Sequence, residues 1–137
     1  MAQAIREVMT SNPATIESSA TVVDAAQLMR DEDVGLVPVT EGGRLVGTIT
    51  DRDITIRVVA ESKDPQSTTV RDVASTDVVT LNPDQDFEEA VRLMSQHQVR
   101  RLPVVEGGQL VGIVAQADVA TEGEDTKTGQ LVQDISQ

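Results

Sequence analysis

The sequence contains no cysteine, tryptophan or tyrosine, and it has one phenylalanine and one histidine. Without cysteine the chain can form neither a disulfide nor a thiolate metal site. A single histidine, with no Asp or Glu residues clustered at the spacing of metal ligands, offers little to acid–base or metal-assisted catalysis. We therefore expect that the protein is not an enzyme and that it requires no cofactor.

Long apolar runs are absent as well. No stretch approaches the ~20 apolar residues that span a bilayer. The first residues of the chain also lack the apolar segment of a signal peptide. We therefore expect a cytoplasmic protein that has no contact with a membrane.

Basic residues are scarce, since 11 Lys and Arg stand against 23 Asp and Glu and give a net charge of −12 at pH 7. An electrostatic field of this sign repels phosphate groups at long range, so we expect no nucleic acid partner. A small anionic ligand is not excluded, because it needs only a local group of basic side chains.

What the chain does contain is one sequence unit repeated. Val34 recurs as Val99, Pro38 as Pro103 and Gly47 as Gly112, and this offset of 65 positions holds without a gap up to residues 53 and 118. A repeat of this kind predicts two copies of one supersecondary unit. We assign the first copy to residues 5–61, a linker to 62–69, the second copy to 70–122 and a polar tail to 123–137. One more short helix is predicted within the tail, over residues 128–136.

Each copy predicts a short helical turn followed by the order β-α-β-β-α, and hence a mixed α/β (α+β) fold. The first helix of each copy has a start signal, which is Thr21 with Asp24 in one and Asp86 with Glu89 in the other. The next two strands flank a Gly-Gly pair, which supplies the positive φ of a tight hairpin turn. The first strands are predicted at Thr15–Ile16 and Val78–Leu81.

Apolar residues at helical or strand spacing are expected to form the core. A last helix is predicted to begin near Thr50 and to carry Ile54, Ile56, Val58 and Val59. The side chains that we expect to be buried are Leu28, Met29, Val46, Leu93, Met94 and Val111.

Taken together, the doubled Pro-Val strand, the Gly-Gly hairpin and the segment Leu45–Asp53 resemble a pair of CBS (cystathionine-β-synthase) domains, or Bateman module. The resemblance covers residues 5 to about 122. It implies two β-α-β-β-α units packed with pseudo-twofold symmetry, with clefts between the copies. It also implies a small stand-alone bacterial protein that forms a homodimer and binds an adenosine-type ligand.

The family's ligand signature, Gly-h-x-[Ser/Thr]-x-x-Asp, matches the segment that contains Thr50 and Asp53. The resemblance implies that Asp53 accepts hydrogen bonds from both ribose hydroxyls and that the Thr50 hydroxyl lies near the ribose or phosphate. The same two residues also form a capping box, which would stabilise a helix without any ligand. In the second copy Asp118 remains, but Ala115 replaces the hydroxyl, so the cap and the hydroxyl that could donate to a phosphate are expected to be lost.

Other site residues follow from the resemblance alone. Basic residues before the Pro-Val strand, here Arg100 and Arg101, would bind the phosphates; their alternative role is a surface salt bridge or a dimer contact. His97 is interpreted as a residue at a helix C-terminus. The residues that would line one cleft with Thr50 and Asp53 are Thr80 and Val99. The residues that would line the other with Asp118 are Thr15, Ala20, Val34 and Gly35.

The leading hypothesis is therefore a regulatory sensor of an adenosine-type nucleotide, with output through an unknown protein partner. Candidate ligands are AMP, ADP, ATP, NAD(H) and S-adenosylmethionine. The alternative is a dimerisation or structural scaffold whose clefts are vestigial and bind nothing. Direct contact with DNA is a third and weaker reading, because the net charge opposes it.

Overall fold

The computed structural model describes residues 3–122, with side chains through Val119. The helices are α1 (Ile5–Val8), α2 (Val22–Glu32), α3 (Asp51–Ile54), α4 (Val70–Val73), α5 (Phe87–His97) and α6 (Gln116–Glu122). The strands are β1 (Thr10–Ser11), β2 (Ile16–Glu17), β3 (Leu36–Glu41), β4 (Arg44–Thr50), β5 (Arg101–Glu106) and β6 (Gln109–Ala115). A π-helical segment, Thr55–Val59, continues α3. The predicted α/β class is confirmed.

Two compact units divide the chain, and their boundaries differ from those of the sequence repeat. The central unit is Ala14–Val78, and the terminal unit joins the residues up to Pro13 with those from Val79 onward. Consequently α1, which opens the first repeat, belongs to the terminal unit, and α4, which opens the second repeat, belongs to the central unit. In sequence terms, the two copies have exchanged their opening turns.

The central unit is built on the β3–β4 hairpin. The strands β3 and β4 are antiparallel, and β2 lies parallel to β3 with Ile16 opposite Val39. On the other side of the hairpin, Ser75 bridges Thr48 of β4. The turn is closed by Gly42 and Gly43, whose φ values of 61° and 86° strain any residue with a Cβ.

The terminal unit repeats this plan with different chain segments. The strands β5 and β6 form its antiparallel hairpin, and β1 pairs with β6 so that Thr10 lies opposite Ile113. A single parallel bridge joins Leu81 to Val104 of β5. The strand predicted at Val78–Leu81 is therefore reduced to one bridging residue, because only Leu81 makes the ladder hydrogen bonds, with the backbone of Pro103 and Val105.

Each unit has its own hydrophobic core, and the exchanged turns contribute to it. Ile5 of α1 is fully buried in the core of the terminal unit. Val70 and Val73 of α4 are fully buried in the core of the central unit. Burying a side chain of this size contributes about 1.5–3 kcal/mol. Backbone hydrogen bonds add to this, from the Ile5 N–H to the Gln85 carbonyl and from the Val70 N–H to the Ala20 carbonyl.

The predicted core residues are confirmed only in part. Met29 and Met94 are buried, whereas Leu28, Leu93 and Val111 are half-buried at the edge of their cores. The prediction for Val46 is wrong, since its side chain is 37% exposed. A β-bulge explains the error: Val39 lies opposite Gly47 and Thr40 lies opposite Leu45, so Val46 is the extra residue of β4 and has no partner on β3.

Helix starts were predicted unequally well. Thr21 and Asp24 form the expected capping box of α2, each side chain accepting from the other residue's backbone N–H at 3.2 Å. The equivalent prediction for α5 is wrong. Asp86 is the N-cap of α5, but the Asp86 side chain accepts no capping hydrogen bond. Glu89 instead pairs with Arg92 one turn later.

Within residues 3–122, no helix is both long and apolar enough to cross a bilayer. The helix predicted over residues 128–136 lies outside the described part of the chain.

Candidate functional site

The junction of β4 and α3 in the central unit holds the two signature residues in one hydrogen-bonded pair. The Asp53 backbone N–H donates to Thr50 Oγ1 at 3.0 Å, and the Thr50 backbone N–H donates to Asp53 Oδ2 at 2.9 Å. This is the predicted capping box, and it fixes the rotamers of both side chains. The box uses Oδ2 of the carboxylate, so the second oxygen, Oδ1, is left to face another partner.

Arg57 lies on the Oδ1 side of that carboxylate. Its Nε is 4.0 Å from Asp53 Oδ1, an ion pair between residues one helical turn apart. Its Nη1 donates a hydrogen bond of 3.0 Å to the backbone carbonyl of Val73, at the end of α4. The Asp53 side chain is only 12% exposed, while that of Arg57 is 51% exposed. The site therefore presents a largely buried carboxylate with one cation beside it.

Gly35 and Asp51 complete this end of the central unit. The Asp51 backbone N–H donates to the Gly35 carbonyl at 3.0 Å. A Cβ at Gly35 would lie 3.1 Å from Asp51 Oδ2, so a larger residue would crowd this carboxylate. Asp51 Oδ1 accepts from the Arg52 backbone N–H at 2.8 Å. Of the residues assigned to the second cleft, Gly35 is thus a direct neighbour of the β4–α3 junction of its own unit.

The equivalent junction in the terminal unit, between β6 and α6, keeps half of the box. Asp118 Oδ2 accepts from the Ala115 backbone N–H at 2.8 Å. The expectation that the cap is lost is therefore wrong for the carboxylate and right for the hydroxyl, which Ala115 cannot supply. Both carboxylates make the same backbone hydrogen bond, and they differ in what surrounds them.

Arg100 and Arg101 lie beside this second junction. The Arg100 carbonyl accepts from the Gln116 backbone N–H at 2.7 Å, and Arg101 lies opposite Ala115 in the β5–β6 ladder. Arg100 is exposed and Arg101 is half-buried. Within the described part of their own unit, neither guanidinium has a carboxylate within 4 Å. His97 is the last residue of α5, as predicted, and its side chain is exposed.

The remaining predicted site residues divide between the two units. In the central unit Thr15 is exposed, whereas Ala20 and Val34 are half-buried and bonded through their backbones to Glu17 and Met29. In the terminal unit Thr80 is exposed beside the bridging Leu81, and Val99 is half-buried after α5. Their predicted roles as ligand contacts stay predictions.

Arg57 and Asp51 are site residues that sequence reasoning missed. The signal for Arg57 was its position four residues after Asp53, the spacing at which helical side chains form ion pairs. Asp51 could not have been found in this way, because its contact with Gly35 depends on the backbone path at the end of β4.

Perturbed ionisable groups occur away from the junctions. Hydrogen bonds to Asp84 and Glu106 raise the pKa of Arg6, and hydrogen bonding to Arg92 lowers the pKa of Glu89.

A surface depression near the start of α5 is lined by Gln85, Asp86, Glu88, Glu89, Val91 and Arg92. Its carboxylates outnumber its one guanidinium, which pairs with Glu89, so it does not suit an anionic nucleotide. Among the described residues, no three His, Cys, Asp or Glu side chains are placed to hold a metal ion.

Comparison with known proteins assigns both copies to one family. A model of the CBS domain matches residues 5–60 and again residues 70–125. The CBS domain-containing protein YhcV of Bacillus subtilis is 43% identical over 133 residues, which cover 96% of this chain and 94% of that protein. Hypoxic response protein 1 of Mycobacterium tuberculosis is 34% identical over 131 residues, which cover 95% of this chain and 92% of that protein.

Solved structures show the same likeness. The hypoxic response protein, crystallised with two coordinated zinc ions, matches with a TM-score of 0.81 at 34% identity over 88% of this chain and 99% of its own. The structure of CBSX2 in complex with AMP matches with a TM-score of 0.76 at 26% identity over 86% of this chain and 93% of its own.

Proposed function

We propose that this chain, which belongs to the CBS-domain family, is a regulatory module that senses an adenosine-type nucleotide and signals to a partner protein. Tandem CBS domains are commonly regulatory nucleotide-binding modules, and CBSX2 is a similar protein in complex with AMP. We further propose that the protein works in the cytoplasm and catalyses no reaction.

The observation that carries the proposal is the state of Asp53. Its carboxylate is largely buried and fixed through Oδ2, yet Oδ1 accepts no hydrogen bond within the central unit. A carboxylate oxygen held in this way can accept from a ribose hydroxyl without a change of rotamer, which lowers the entropic cost of binding. Thr50 Oγ1 accepts from the Asp53 N–H, so its own hydrogen remains to be donated to the ligand. For the phosphates we propose Arg100 and Arg101, on their charge and on the family resemblance.

We also propose that the chain forms a homodimer. Three large apolar side chains are exposed in the described part of the chain, and all belong to the central unit: Val46, Ile56 and Val59, at 37%, 44% and 67% exposure. Ile56 and Val59 lie three residues apart on the π-helical segment. Large apolar residues exposed close together on one element are typical of an interface.

A ligand screen tests the nucleotide proposal directly. AMP, ADP, ATP, NAD(H) and S-adenosylmethionine are added separately, and the thermal midpoint of unfolding is recorded with GMP as the control. At 100-fold excess over Kd, a ligand that binds only the folded protein stabilises it by about 2.7 kcal/mol, which is a shift of several degrees. We expect at least one adenosine ligand to produce this shift and GMP to produce a much smaller one.

The alternative function, a scaffold with empty sites, has one observation in its favour. The capping box stabilises the start of α3 without any ligand, so the junction is stable as it stands. If no adenosine compound shifts the midpoint or releases heat on titration, the scaffold is the better account.

A further inference from the structure

We infer that Arg57 is a positioning residue for the nucleotide, holding the Asp53 carboxylate in place and tying the junction to α4. The inference rests on the proposed function, and it adds to the nucleotide site a residue that lies outside the ligand signature. The geometry points to Arg57 because one guanidinium contacts two otherwise separate parts of the central unit, the Asp53 carboxylate at 4.0 Å and the Val73 carbonyl at 3.0 Å.

The contact with Asp53 involves the oxygen that the ligand would use. Oδ2 is occupied by the Thr50 backbone N–H, and Arg57 Nε lies on the Oδ1 side. At 4.0 Å the guanidinium is too far to form a hydrogen bond that would block Oδ1. It is close enough to attract the carboxylate and keep Oδ1 turned toward it. Arg57 therefore orients Oδ1 without competing for it.

The contact with Val73 gives the guanidinium a fixed position. Val73 is fully buried, and its carbonyl ends the α4 turn that opens the second repeat. The π-helical segment that carries Arg57 closes with the Ala60 N–H bonded to the Thr55 carbonyl, and this wider turn is often found at functional sites. A ligand hydrogen-bonded to Oδ1 would therefore restrain the junction and, through the Arg57–Val73 hydrogen bond, the end of α4.

The second repeat has the opposite charge at this position. The counterpart of Arg57, 65 residues later, is Glu122, four residues after Asp118 in α6. An acidic residue cannot supply the guanidinium contact that Arg57 makes with Asp53. The two copies therefore differ at three places, the hydroxyl, this charge and the basic pair before the Pro-Val strand.

The test compares ligands that do and do not have the ribose hydroxyls. Titration calorimetry measures the binding of adenosine, AMP and 2′,3′-dideoxyadenosine to the unmodified chain, to Arg57→Met and to Arg57→Lys. Arg44→Met is the matched control, because Arg44 is an exposed residue at the opposite end of β4 and its loss changes the net charge equally.

We expect Arg57→Met to weaken the binding of adenosine and of AMP by the same factor, roughly three- to tenfold. This factor is at the low end of the coupling measured between residues that belong to one interaction network. Dideoxyadenosine should bind both proteins alike, because it lacks the hydroxyls that Asp53 would accept from. Arg57→Lys should restore most of the loss, and Arg44→Met should have no effect. Hydrogen exchange at the Ala74 amide should slow on addition of AMP in the unmodified chain but not in Arg57→Met.

Three results would overturn the inference while leaving nucleotide binding intact. Equal weakening of all three ligands would make Arg57 a general structural residue. Weakening of AMP without adenosine would make it a phosphate ligand. Unchanged affinities would remove it from the site. If the unmodified chain binds neither adenosine nor any of the five candidate ligands, the proposed function fails and the inference fails with it.

Discussion

Substituting the two signature aspartates separately gives a test with a built-in control. Asp53→Ala and Asp118→Ala each remove one carboxylate that accepts a backbone N–H, from Thr50 at 2.9 Å and from Ala115 at 2.8 Å. Loss of such a capping bond costs about 0.5–2 kcal/mol of stability. Because the two bonds are alike, we expect the two variants to lose similar stability, by urea or thermal unfolding.

Their effects on ligand binding should differ. Asp53 has the Thr50 hydroxyl and Arg57 beside it, whereas Asp118 has Ala115 in place of the hydroxyl. A hydrogen bond to a charged group contributes about 1.5–3 kcal/mol, and about 1.4 kcal/mol is a factor of ten in affinity. We therefore expect Asp53→Ala to weaken the best adenosine ligand by more than tenfold, and Asp118→Ala to leave that binding nearly intact.

Calorimetry at matched temperature measures both affinities, and unfolding curves supply the stability comparison. The reasoning is refuted if both substitutions weaken binding equally, or if the unmodified protein binds the nucleotide at two sites of equal affinity. Equal loss of stability with unequal loss of affinity would separate ligand recognition from helix capping.

Three further predictions concern assembly, packing and pH. The double substitution Ile56→Asp with Val59→Asp should convert the proposed homodimer to a monomer, as measured by light scattering at micromolar concentration. Lys63→Asp, a substitution at an exposed residue nearby, should leave the dimer intact. A monomeric unmodified chain would contradict the dimer. Gly47→Ala should destabilise the chain by about 1–3 kcal/mol in urea unfolding, because its Cβ would lie 2.6 Å from the Ser75 carbonyl oxygen; unchanged stability would show that the backbone there adjusts freely. Glu89→Gln should be less stable than the unmodified chain above pH ~4.5, and this difference should disappear on acidification, because Arg92 lowers the pKa of Glu89 in the folded state only; a difference that grows as the pH falls would contradict the pairing.

Much of the local structure follows from the sequence, since the 65-residue offset and the Gly-Gly pairs identify the hairpins, and Thr21 and Thr50 identify two helix starts. The exchange of α1 and α4 between units could not be predicted, because Ile5 and Val70 are equally apolar and either could pack against either core. Val46 was misassigned because its apolar side chain does not reveal that it is the extra residue of a β-bulge.

At the site, the sequence identified the box of Thr50 and Asp53 but not its surroundings. The contact of Arg57 with the Val73 carbonyl joins residues 16 positions apart and depends on a π-helical turn. No pattern of side-chain types encodes such a turn. For the same reason, the half-cap at Asp118 was missed, because Ala115 contributes through its backbone rather than its side chain.

The exchanged opening turns have a consequence for how the protein is made. Ala14–Val78 is continuous, so a nascent chain can complete the central unit as soon as this stretch has left the ribosome. The terminal unit is discontinuous, because Ile5 is buried with Val114 and Val119, which are synthesised more than 100 residues later. The segment that carries Ile5 must therefore wait, with its apolar turn uncovered, until the second repeat has been translated. Translation speed through the second repeat thus determines how long that turn stays exposed to chaperones and proteases.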